Sequence, residues 1–115
     1  MAASLRHSLK SDLEILLQHL LKLRYETSQN GWRERSRGWK LSVLEHRHRM
    51  IYILDDAPGL RRFLAEFVTR TYPHAVQQAS IATGLPESRF PKECPWSIQE
   101  IMEMDFPDPF CLEGD

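Results

Sequence analysis

Leucines at positions 5, 9, 13, 16, 17, 20 and 23 dominate the start of this chain. Stepped at ~100° per residue, they fall within one arc of about 120°, the apolar stripe of an amphipathic helix. Such a stripe must be buried against other elements. No period-two alternation of apolar and polar residues occurs anywhere, so those elements are expected to be helices as well. The first helix is predicted from about Ser4 to about Tyr25, ended by the polar turn Glu26-Thr27-Ser28-Gln29-Asn30-Gly31. Ile15 lies off the stripe, which hints at a second contact surface.

A second helix is predicted to begin near Ser36 and to end at Asp55-Asp56, where Ala57-Pro58 stops it. Its apolar arc, measured from Trp39, holds Val43, Leu44, Met50, Ile51, Ile53 and Leu54. His46 sits at the margin of that arc. Arg47 falls near its middle, an unusual place for a residue so rarely buried without a partner. Pro58 suits the first turn of a third helix, whose core side carries Leu60, Leu64, Phe67, Val68, Ala75, Ala79 and Ala82. Pro73 interrupts that run and predicts a kink or a break. Thr83-Gly84-Leu85-Pro86 is a strong stop, with glycine for a left-handed cap. Glu87 to Trp96 reads as a proline-bounded loop. Ser97-Ile98-Gln99-Glu100 is a capping box that opens a short fourth helix to about Met104. The expectation is an all-α fold: a single helical domain over residues 1–104, a small bundle of three main helices plus a short fourth. An irregular, acidic, proline-containing tail over 105–115 follows.

A length of 115 residues, with 42% hydrophobic and 27% charged, suits one globular domain and excludes a disordered or collagen-like chain. The absence of any glycine-rich loop excludes the usual phosphate-cradling folds. Ile15 to Leu23 is too short and too polar to span a bilayer, which needs roughly 20 apolar residues. It is preceded by Asp12 and Glu14 and so makes no signal peptide. The protein is expected to be cytoplasmic and not to engage membranes. Cys94 and Cys111 are spaced like neither a zinc site nor a redox pair and read as free thiols. The formal net charge of −1 hides a split: residues 1–50 hold ten Lys/Arg and five Asp/Glu, whereas residues 51–115 hold five and eleven. Such asymmetry suggests an anionic partner, or a basic face docking on the acidic half of its own or another copy.

His19-Leu20-Leu21-Lys22, Arg35-Ser36-Arg37-Gly38-Trp39 with Glu45 and Arg47, Asp56-Ala57-Pro58-Gly59-Leu60, Thr83-Gly84-Leu85-Pro86, and Phe90-Pro91 with Cys94-Pro95-Trp96 occur in this order. In these landmarks the chain resembles the bacterial family known as domain of unknown function twenty-nine, over nearly its whole length. The resemblance implies an all-helical protein, with many cyanobacterial relatives and no established activity. Members of that family usually carry a further acidic N-terminal helical segment, whereas this sequence begins almost at its leucine-rich helix, so another copy or a partner is expected to cover apolar surface.

Arg47 is the most informative single residue. A guanidinium on an apolar helix side must find a carboxylate or several carbonyls, either as a structural tie between helices or as a fork that grips phosphate or carboxylate. Arg33, Arg35, Arg37 and Trp39, with Trp32 adjacent, form a basic, aromatic-punctuated opening to the second helix. Tryptophan stacking with arginine contacts to phosphate is one way of holding single-stranded nucleic acid. Against that, Trp39 equally suits a core anchor. His19 lies on the flank of the first helix, where it suits a bond to a backbone carbonyl or acid–base work beside a second group. His46 and His48 point about 200° apart on a helix and cannot share a metal. Cys94, held between prolines before the capping box, suits a buried, inert thiol better than a nucleophile.

The functional expectation is a non-catalytic interaction module, with no cofactor and no metal. It is expected to self-associate or bind a protein partner, with nucleic acid as a further candidate. Its basic segment 33–49 would bind an acidic protein surface or nucleic acid through Arg33, Arg35, Arg37, Trp39 and Arg47. The alternative is a small metal-independent nuclease or other phosphodiester-processing enzyme using His19 and Arg47. That chemistry requires the two side chains to converge on one open cleft.

Overall fold

A computed structural model describes the backbone of residues 2–26 and 32–103, and the side chains of 4–26 and 34–103. The tail expected over 105–115, Cys111 and the Arg33 side chain lie outside the described residues. Every regular element among them is helical: α1 (Ala2–Tyr25), α2 (Trp32–Asp56), α3 (Leu64–Thr83) and α4 (Ile98–Glu103). Two 3-10 turns, Pro58–Phe63 and Glu87–Arg89, join them.

The helices sit where local chemistry puts them. α2 begins a turn earlier than Ser36, with Glu34 in its first turn, where a carboxylate favours the positive end of the helix. Pro58 does not enter α3 directly. It opens a 3-10 turn that runs straight into α3. Gly84 takes a φ of 78°, the left-handed cap, and its N–H bonds to the Ser80 carbonyl at 2.9 Å. The capping box closes both ways: the Ser97 N–H donates to Glu100 Oε1 at 2.9 Å, and the Glu100 N–H to Ser97 Oγ at 3.1 Å. α3 runs unbroken through Pro73. The ring is exposed, so the Thr69 carbonyl, left without a helical donor, faces the wet side of the helix.

α1 is the middle of the bundle, with α2 on one flank and α3 on the other. Contacts set the directions. Arg49 meets Asp12 and Arg35 meets Glu26, so α2 runs antiparallel to α1. Arg6 lies over the Phe63 ring, Lys10 over Phe67, and Glu14 contacts His74 and Gln78, so α3 runs parallel to α1. Enclosed from two sides, α1 buries Leu9, Leu13, Leu16, Leu17, Leu20 and Leu23. It also buries Leu21, which lies outside the leading arc. The core is completed by Val43, Met50 and Leu54 of α2, Leu60 of the 3-10 turn, the α3 row Leu64, Phe67, Val68, Tyr72, Ala75, Val76 and Ala79, and Phe90 and Ile101. Ala82 is exposed rather than buried, because the core side of α3 ends at Ala79 and Thr83. Leu44 and Ile51 are also exposed, at 39% each. They occupy the margin of the α2 arc, which turns past the neighbouring helices into solvent.

Candidate functional site

The same enclosure that buries the leucines of α1 takes in its flanking polar residues. Asp12, Lys22 and Glu26 are buried on the side facing α2, opposite a row of α2 side chains. Glu26 is 3% exposed and accepts two bonds from the Arg35 guanidinium, at 2.9 and 3.3 Å. Lys22 Nζ lies 5.7 Å from the Trp39 ring centroid, and the Arg35 guanidinium 5.9 Å from it. Burial pushes the Lys22 amine below its ordinary value. Further along, Arg49 approaches Asp12 at 3.9 Å. Burial raises the Asp12 carboxyl above its usual range, against the opposing pull of His46 and Arg49.

The two histidines of this seam are both tied to backbone. His19 Nδ1 donates to the Ile15 carbonyl at 2.8 Å, and His46 Nδ1 donates to the Ser42 carbonyl at 2.7 Å. Desolvation by burial holds the His19 imidazole below its normal value, despite that bond. Arg47 belongs elsewhere. It is 6% exposed, and its Nε donates to the Ile101 carbonyl at 2.7 Å, in the last turn of α4. A cation at the negative end of a helix is a favourable placement, and here it fastens α4 onto α2. One of its compensating groups is therefore a carbonyl of a neighbouring helix end. Packing covers Arg47, so it does not line an open cleft with His19.

The residues singled out from sequence thus divide. Arg35, Trp39 and Arg47 are engaged within the fold, while Arg37 stands exposed on α2. What sequence reasoning passed over is the face around Arg37. Leu41 (59% exposed), Leu44, Ile51 and Tyr52 (69%) stand in solvent together with His48 and Asp55. At ~100° per residue these positions span an arc of about 100° on the side of α2 away from the core. Along Arg37, Leu41, Leu44, His48, Ile51 and Asp55 the steps of four and three were legible, but charged or polar residues at half of these six positions masked the apolar signal.

The family described as Domain of unknown function DUF29 matches residues 1–107. The chain belongs to this family. No curated protein and no solved structure matches it.

A second feature of this DUF29 domain is a groove of about 490 Å³ between α3 and the segment leading into α4, lined by Val68, Tyr72, Pro73, Cys94, Trp96 and Ile98. Its reactive groups are muted. Burial pushes the Cys94 thiol up, and its Sγ lies 3.5 Å from the Trp96 carbonyl. Such a thiol carries little thiolate at neutral pH and is a poor nucleophile. The Tyr72 phenol is raised far more strongly by burial and donates to the Pro91 carbonyl at 2.6 Å. Among the described residues, no group of three or more His, Cys, Asp or Glu side chains is placed to hold a metal ion. None of the described helices is long and apolar enough to cross a membrane.

Proposed function

We propose that this DUF29 chain is a non-catalytic module that binds a protein partner through the outer face of α2. The observation that carries the reading is the concentration of exposed Leu41, Leu44, Ile51 and Tyr52 on one arc of one helix. Single exposed apolar residues, such as Ile81 on α3, need no explanation, but a contiguous row rimmed by Arg37, Glu45 and Asp55 is the composition of a recognition surface. Nucleic acid is served less well. Of the basic segment's candidate contacts, Arg47 is buried, Trp39 is half-buried, and Arg35, though exposed, is already paired with Glu26, while an apolar row offers nothing to phosphates.

The test is a photoreactive aromatic residue placed at Tyr52 in cells that naturally make the protein, with the same probe at exposed Gln77 on α3 as control. A discrete protein adduct at position 52, lost on Leu44→Asp and not seen at 77, supports the reading. Adducts to RNA or DNA at 52, or no adduct at all, would overturn it.

A further inference from the structure

Along the outer face of α2, positions 37, 41, 44, 48, 51 and 55 alternate in steps of four and three, the spacing of a coiled-coil seam. All six residues are exposed. Read from the start, the seam is Arg37, Leu41, Leu44, His48, Ile51 and Asp55: a cation at one end, an anion at the other, and three aliphatic residues with one histidine between. This order is self-complementary in one orientation only. When two such helices lie antiparallel about a two-fold axis level with residue 46, Arg37 of one faces Asp55 of the other. Leu41 then faces Ile51, and Leu44 faces His48. The flanking Glu45 comes within one position of the opposite His48. A parallel pairing would instead set Arg37 against Arg37 and Asp55 against Asp55.

Resting on the reading of this face as the binding surface, we infer that its occupant is a second copy of the same chain, joined through an antiparallel α2–α2 seam. A two-fold axis makes the contact isologous and closed, so it stops at two copies. The seam spans 18 residue steps, about 27 Å of helix. A contact built on one helix face buries less than a standard interface, so the dimer is concentration-dependent rather than permanent. Charge at the two ends then fixes orientation more than it adds affinity.

Sedimentation equilibrium of the full chain from about 5 to 500 μM tests the inference. The expected result is a reversible shift from 13.5 kDa towards about twice that mass. Leu44→Asp, at an exposed position whose fold is checked by circular dichroism, abolishes the shift. Arg37→Glu and Asp55→Arg each weaken dimerisation by about tenfold. The double variant, with both ends exchanged, restores it, because each new end again meets its opposite.

A chain that stays monomeric throughout the range overturns the inference, as does a dimer indifferent to Leu44→Asp or a double variant no better than the singles. The two failures remain separable. A Tyr52 adduct with a different protein, on a chain that stays monomeric, removes self-association while leaving the face a binding surface.

Discussion

His19 and Asp12, on the α2-facing side of α1, both contribute to the response of this molecule to acid. His19 is held below the ordinary histidine value of 6.5 by burial, so the unfolded chain takes up its proton first. Above that value both states are neutral at this position and His19 contributes no pH dependence. As pH falls through 6.5 the unfolded state gains protons that the folded state resists. Stability therefore drops until the lower folded value is passed, and the penalty is constant beyond it. Asp12 works the other way. Its raised carboxyl costs stability while ionised, and that cost is relieved as pH falls through the raised value. His19→Gln keeps a donor for the Ile15 carbonyl and removes the titration. Urea denaturation at about pH 7.5 and about pH 5 is expected to show a smaller stability loss between the two for the variant than for the wild type. Equal losses would show that His19 does not carry the acid sensitivity. None of this was readable from His19 alone, because its flank position is equally compatible with exposure.

At the scale of elements, α4 is the most weakly supported part of the bundle. It has six residues, too few to be stable alone, and it is held by its capping box, by Ile101 in the core and by the Arg47 bond to the Ile101 carbonyl. Arg47→Ala removes the last of these and is expected to cost about 2 kcal/mol in denaturant unfolding. Backbone amides of α4 should exchange with solvent at least about tenfold faster, while those of α1 change only by the global loss. Unchanged protection in α4 would show that Arg47 is not its fastening. The capping box was legible because its partners lie three residues apart. The Arg47 tie was not, since its acceptor lies 54 residues away and no local pattern names a backbone carbonyl. Pro73 teaches the complementary lesson. Its ring forbids one helical bond wherever it sits, but the helix continues when that position faces water.

The molecule as a whole depends on α1, which packs extensively against both other long helices. Leu20, fully buried in that helix, is part of the shared core, so Leu20→Ala is expected to cost about 3 kcal/mol. The loss should appear as a lowered urea midpoint in one transition, with far-ultraviolet circular dichroism and tryptophan fluorescence coinciding. Two separated transitions would mean that α2 and α3 do not share a core through α1.

The order of elements, their caps and the identity of most core residues follow from sequence alone. Helical periodicity and capping are local properties, satisfied within a few residues. Which side of α1 meets which neighbour is a different kind of fact. Only packing from two sides explains why Asp12, Lys22 and Glu26 are buried with the leucines, and why Arg35 and Trp39 turn towards Glu26 and Lys22. The same packing leaves the edge of the α2 arc, Leu44 and Ile51, in water. An apolar arc states how much surface must be covered, but the neighbours that cover it come from distant parts of the chain, and their positions decide which edge of it stays open to a partner.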